Sequence, residues 1–238
     1  MEFSQADGLP DPLISDFYDH TSHRVGIIVR RELTPLTSVA VTVDRRRDRF
    51  DLGPDRDSDS LGISSGLEFR PFALISGKAF VGWNRVQLIG SGAPSFRGLA
   101  TSVDLTYTLL GATRFSVQAE RGLSYSAVRD QHAFLLAGVK GSIVRRMGAN
   151  WDIGGRVGRH RASYGFFDLS AQQGSVAQGS ALGREHEIFR EYGGQLGYLV
   201  GPDTRIAFDV VRYRRRSTLD ASRQYNVTRA GMSLTYRF

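Results

Sequence analysis

The sequence predicts an all-β chain, folded as a single antiparallel, up-and-down β-barrel of about 12 strands. Three observations predict it. Apolar and polar residues alternate with period two along most of the 238 residues, the repeat of a strand with two unlike faces. The connections between these segments are alternately short and long. The last segment, from Tyr225, keeps its alternation to the final aromatic residue, Phe238.

In the terminal segment Ala230, Met232, Leu234, Tyr236 and Phe238 share one face, and Arg229, Gly231, Ser233, Thr235 and Arg237 the other. Ten earlier segments repeat the pattern. Val25, Ile27 and Val29 alternate with Arg24 and Arg30. Val39, Val41 and Val43 alternate with residues that include Asp44. Leu61, Ile63, Leu67 and Phe69 stand opposite Glu68, and Ala79, Val81 and Trp83 opposite Lys78. Between Leu99 and Leu109 the alternation is nearly complete, with Asp104 on the polar face. Phe115, Val117 and Ala119 interleave with Arg114 and Glu120. Leu135, Ala137, Val139 and Ile143 interleave with Lys140, and Trp151, Ile153 and Val157 with Asp152 and Arg156. Tyr192, Leu196, Tyr198 and Val200 interleave with Glu191, and Ile206, Phe208 and Val210 with Arg205 and Asp209. From residue 23 this makes eleven strands. An even barrel needs one more, expected within Ile14 to His20 or upstream. The domain reading is a 1–22 N-terminal segment, one strand or a leader to the barrel, followed by the barrel itself over 23–238.

Short connections at Thr34-Pro35-Leu36, Pro71-Phe72-Ala73, Gly111-Ala112-Thr113, Met147 to Asn150 and Gly201 to Thr204 carry the Gly, Pro, Asn and Asp of tight turns. Long polar connections fall at Arg49 to Asp59, Ile89 to Arg97, Leu123 to Gln131, Gly165 to Glu185 and Arg216 to Gln224. Segregating short turns to one end and long loops to the other is the sidedness of an outer-membrane barrel, with short periplasmic turns and longer extracellular loops.

Composition narrows the classes. There is no cysteine, so disulfides and thiolate metal sites are excluded. No run of about 18 apolar residues predicts a membrane helix, a rule that does not bear on barrel strands. The net charge is +7, almost all of it arginine, since Lys78 and Lys140 are the only lysines. The arginines are spread along the chain rather than gathered in one stripe, which argues against nucleic acid as a partner. The first residues, Met1 to Asp7, show neither a basic n-region nor an apolar h-region. An exported chain is therefore expected to be a mature form or a fragment here.

Alternation alone allows two orientations. A soluble barrel would bury the apolar face and could bind an apolar ligand. A membrane barrel would turn it to lipid and close a polar lumen. The terminal aromatic, the loop asymmetry and aromatics near strand ends (Tyr107, Trp83, Trp151, Tyr198, Tyr236 and Phe238) favour the second, a transmembrane barrel in a bacterial outer membrane. Its lumen candidates are Arg24, Arg30, Asp44, Glu68, Asp104, Arg114, Asp152, Arg156, Glu191, Arg205 and Asp209.

With this pattern assembled, the chain resembles the β-barrel porins of Gram-negative bacteria. The resemblance rests on Leu105-Thr106-Tyr107-Thr108-Leu109-Leu110-Gly111-Ala112-Thr113-Arg114-Phe115, on Gln195-Leu196-Gly197-Tyr198 and on Met232-Ser233-Leu234-Thr235-Tyr236-Arg237-Phe238. It implies an outer-membrane location and assembly by the barrel-insertion machinery, which reads the last strand, here Leu234, Tyr236 and Phe238. It implies no catalytic residue.

The expected function is a porin-like passive channel for small solutes, anionic ones included, with Arg24, Arg30, Arg114, Arg156 and Arg205 along the path, or a structural barrel in which these pair with the lumen acids. The clusters Arg45-Arg46-Arg47-Asp48-Arg49 and Arg212-Tyr213-Arg214-Arg215-Arg216 are candidates for lipopolysaccharide phosphates. No catalysis, cofactor or metal site is expected. The alternative of a lipid-modifying hydrolase would use His160 with Ser163 or His132 with Ser126, but no Gly-x-Ser-x-Gly elbow is present. His20, His23 and His186 stand apart from any ligand spacing. The pairs Gly154-Gly155 and Gly193-Gly194 are expected inside strands, giving curvature or a bulge.

Overall fold

The computed structural model describes residues 19–51, 57–71, 73–89, 96–125, 133–164 and 185–236. Eleven strands form: β1 (His20–Thr34), β2 (Thr37–Phe50), β3 (Ser58–Phe69), β4 (Ile75–Leu88), β5 (Phe96–Leu109), β6 (Thr113–Tyr125), β7 (Ala133–Met147), β8 (Trp151–Ser163), β9 (His186–Val200), β10 (Thr204–Ser217) and β11 (Tyr225–Tyr236). Each pairs antiparallel with its neighbours in the chain, so the sheet runs β1 to β11 in sequence order. All eleven strands read from the alternation are present, the first beginning at His20. Of the segment expected to supply a twelfth strand, residues 14–18 lie outside the described residues. Among the described residues no pairing joins β1 to β11. Among the described residues a 3-10 turn, Ala221–Arg223, interrupts the all-β pattern, and no helix is long and apolar enough to cross a membrane.

Turns and loops segregate to opposite ends. In the turn that joins β5 to β6 the Ala112 amide donates to the Leu109 carbonyl at 3.1 Å. Its two central residues, Leu110 and Gly111, both have positive φ, 50° and 67°, as the hairpin turn matched to strand twist requires. On the loop side the strands run further than composition suggests. β2 continues through the arginine cluster to Phe50, β6 to Tyr125 and β10 to Ser217. Alternating side chains and ladder bonds hold these segments extended despite their polarity.

The two faces are unlike in the sense opposite to a soluble barrel. The apolar set is exposed, with Ile27 at 70%, Ile63 at 54% and Phe208 at 53%. The polar set lies on the concave side. The direction of curl follows from contacts on that side: the Tyr125 hydroxyl on β6 reaches Asp48 on β2 and Ser58 on β3, strands several places away in the sheet. Buried apolar residues are few and mostly sit at the loop end, among them Phe50, Val86 and Leu88.

At the turn end Tyr107 and Phe115 stand 6.2 Å apart, and Trp151 and Tyr198 4.7 Å apart, on the outward face. Tyr236 shares that level, in register with Thr204. Trp83 does not belong to this girdle. It sits two residues below Arg85 on the loop half of β4, because β4 runs past it to Leu88. From Trp151 to the first outward arginine of β8, Arg159, the wall is apolar or glycine. At ~3.4 Å per residue and ~40° of tilt those eight steps span about 20 Å, near the height of an outer-membrane apolar band.

The charged lumen as candidate functional site

Strand parity decides what can enter the lumen. Arg24, Arg30, Asp44, Glu68, Asp104, Arg114, Asp152, Arg156, Glu191, Arg205 and Asp209 all fall on the concave face. Most are joined in ion pairs. Arg24 meets Asp44 at 3.2 Å and Arg30 meets Glu68 at 2.8 Å. Arg156 meets Asp209 at 3.3 Å, Lys140 meets Glu191 at 2.7 Å, and Arg205 meets Asp152 at 2.6 Å.

In all of these pairs except Arg24–Asp44 the partners lie two strands apart, and in the last two a glycine of the middle strand lies beneath them. Lys140 is on β7 and Glu191 on β9, both in register with Gly158 of β8. Asp152 on β8 is in register with Gly197 of β9, and Arg205 on β10 is in register with Leu199, two residues further along, and reaches back over Gly197. The middle strand offers no side chain, and the ionic groups close over its backbone. A Cβ on Gly197 would lie 2.5 Å from both Arg205 Nη2 and Asp152 Oδ2. A Cβ on Gly158 would lie 2.8 Å from Glu191 Cγ. The Gly154-Gly155 and Gly193-Gly194 pairs also sit inside strands, but β8 and β9 pair there without a register shift, so no bulge forms.

Charge is balanced on this face. Counting described strand residues by parity, eleven basic side chains meet ten acidic ones. Sequence reasoning overlooked Arg46, Arg146 and Arg215, because each sits beside another arginine and the alternation splits the pair between the two faces. The balance is uneven along the axis. At the turn end a cavity of about 370 Å³ is bordered by Arg114, Arg146 and Arg205 and by two carboxylates, Asp152 and Asp203. Arg146 is the direct cross-strand neighbour of Asp152. Among the described residues no carboxylate pairs with Arg114.

Two networks close the loop end. In the first, Asp48 is 2% exposed and accepts from Arg46 Nε at 2.8 Å and from the Tyr125 hydroxyl at 2.6 Å. That hydroxyl also lies 2.5 Å from Ser58 Oγ, and the Tyr125 ring stands edge-on to Phe50. The geometry follows from pairing: β5 and β6 separate above Thr101 and Arg121, while β6 continues against β7 to Tyr125. Released from the wall, the end of β6 reaches across to β2 and β3. In the second network Glu187, 1% exposed, accepts from Arg215 Nη2 at 2.7 and 2.8 Å and from the Tyr164 hydroxyl at 3.1 Å. Burial, followed by the Glu187 charge, pushes the Tyr164 hydroxyl up to about 12, so it stays a donor. A second cavity, about 460 Å³, opens beside this network between Phe134, His160, Phe189 and Tyr213.

His160 is a lumen residue, with Nδ1 3.4 Å from Glu120 Oε1. Ser163 has the opposite parity on the same strand, so the two cannot work as base and nucleophile. Ser126 and His132 lie outside the described residues. Among the described residues there is no cluster of three metal-ligating side chains.

A curled, antiparallel, sequence-ordered sheet with an apolar outside and an ion-paired polar inside defines an outer-membrane β-barrel protein of porin-like build. The chain belongs to the family described as Putative beta-barrel porin 2, which matches residues 15–238. No curated protein sequence matches it. Among solved structures it is similar to the FrpB iron transporter from Neisseria meningitidis (F3-3 variant), at 12% identity and TM-score 0.58, over 92% of this chain and 40% of that one. The siderophore receptor PirA from Acinetobacter baumannii gives 10% identity and TM-score 0.48, over 92% of this chain and 39% of that one. The NanC porin gives 10% identity and TM-score 0.40, over 92% of this chain and 98% of that one. The chain thus spans about 40% of the length of the first two.

Proposed function

We propose that this protein is a non-catalytic, porin-like channel of the bacterial outer membrane that passes small polar solutes and prefers anions. The carrying observation is the pairing of an exposed apolar wall with a polar, charge-balanced concave face. Such a sheet is stable only with lipid outside and water inside. The anion preference is supported by the turn-end cavity, where three guanidiniums outnumber two carboxylates, Asp152 and Asp203, in a low-dielectric wall. The remaining lumen pairs cancel locally and set width rather than sign. In this reading the short turns face the periplasm and the long loops the exterior.

Single-channel recording in a planar bilayer under a salt gradient tests it. Discrete steps are expected, with a reversal potential showing anion preference. In Arg114→Gln/Arg146→Gln the reversal potential moves toward zero. Insertion without current would refute the channel, and an unchanged reversal potential in the double variant would refute the placement of selectivity at the turn end.

A further inference from the structure

The surplus of positive charge on this chain is on its outside. The outward faces of the described strands carry fourteen arginines and a single acid, Asp59. Arg31 and Arg145 lie at the turn end, and the other twelve at the loop end, above the apolar band. On β2 the outward arginines are already served: Arg45, Arg47 and Arg49 share Asp59 at 2.9 to 3.5 Å.

On β8 to β10 they are not. Arg159 pairs directly with Arg190, and Arg190 with Arg214, giving three guanidiniums in one row across three strands. Arg161 and Arg216 flank the row above, on either side of Ile188, and Arg212 lies below it beside Tyr192. No outward residue of β7 to β11 is acidic. Among the described residues the side-chain acceptor that meets the six is neutral: Asn226 Oδ1 accepts from Arg212 Nε at 2.9 Å. Like charges placed directly opposite on a sheet oppose pairing. Among the described residues no acid in the wall offsets them, and a compensating charge from outside it fits the row.

We propose that this six-arginine patch binds the phosphates of a phosphorylated glycolipid in the outer leaflet. The patch faces outward, so a solute in the lumen does not reach it. It begins where the apolar wall of Val157, Tyr192 and Val210 ends, the level at which acyl chains give way to headgroups. Arginine's planar fork accepts phosphate oxygens two at a time, and a headgroup with two phosphates can bridge neighbouring strands. Sequence reading pointed at the runs 45–49 and 212–216. The alternation removes Arg46 and Arg215 to the lumen, and the register adds Arg159, Arg161 and Arg190.

The inference rests on the membrane-spanning reading, and the test separates the two. The full chain is refolded into vesicles of phosphatidylcholine alone and of phosphatidylcholine with lipid A, either bisphosphorylated or dephosphorylated. The unfolding midpoint is then read from tryptophan fluorescence. Failure to insert into any vesicle would overturn the membrane reading itself. With insertion, the midpoint is expected to rise with the bisphosphorylated lipid and not with the dephosphorylated one. Arg159→Gln/Arg190→Gln/Arg214→Gln is expected to lose that rise while matching or exceeding the parent in phosphatidylcholine, because the like-charge row is gone. An equal rise in parent and triple variant would overturn the site. An equal rise from soluble pyrophosphate added to phosphatidylcholine vesicles would overturn its assignment to lipid.

Discussion

Asp152 and Arg205 grip one another at 2.6 and 2.7 Å across a strand that belongs to neither. The strand between them contributes Gly197, and its missing side chain is what lets the carboxylate and the guanidinium meet. Gly197→Val should therefore separate the pair and leave a nearly buried carboxylate without its cation, at a cost of about 1–3 kcal/mol. Gly155→Ala is the control, since a Cβ there meets only Gly193 O at an ordinary 3.8 Å. Urea unfolding in vesicles, followed by tryptophan fluorescence, should show a clear loss for the first and little change for the second. Equal effects would mean that the glycine acts through backbone entropy and not through the ion pair.

Tyr125 bolts the end of β6 across the mouth. Tyr125→Phe removes the donor to Asp48 and leaves that buried carboxylate with Arg46 and Ser22 nearby. Stability should fall by about 1–2 kcal/mol, and single-channel conductance should rise as the β6–β7 end is released. Conductance equal to the parent's would show that the narrowest point lies elsewhere.

Leu110 is 92% exposed and holds a positive φ that side chains with a Cβ avoid. Asparagine tolerates that conformation and suits the first of two consecutive positive-φ positions in a hairpin turn. Leu110→Asn should raise the urea midpoint by the equivalent of about 0.5–1 kcal/mol, while Leu110→Val should lower it. The opposite order would remove the backbone as the cause.

Leu234 and Tyr236 stand on the outward face of β11, the final strand, and Phe238 lies outside the described residues. We propose that the assembly machinery reads this alternating terminus. Deleting Phe238 should sharply reduce the heat-modifiable, membrane-inserted form in cells without lowering synthesis. Full insertion of the truncated chain would remove Phe238 from that role.

Period-two alternation made the eleven strands and the face of most wall residues legible, because side-chain direction follows parity where a strand is paired on both sides; Tyr125, at the freed end of β6, departs from it. Register was not legible. That Lys140 reaches Glu191 over Gly158 depends on how β7, β8 and β9 slide against each other, which no local pattern encodes. The arginine runs misled for a related reason: read as clusters they look like single patches, yet alternation sends Arg46 to buried Asp48 and Arg215 to buried Glu187. The reach of Tyr125 was hidden because it depends on β6 outlasting its pairing with β5, an event set by the partner strand.

The outward guanidiniums have a consequence for how the protein enters its bilayer. To place the loop ends on the far side, each arginine on the outer wall must pass the hydrocarbon midplane, at ~2–4 kcal/mol apiece. Twelve such passages form a barrier that unaided insertion would cross very slowly, and the same barrier stands against withdrawal. The polarity of the wall therefore works as a ratchet: an entry made once fixes which end faces out for the life of the molecule.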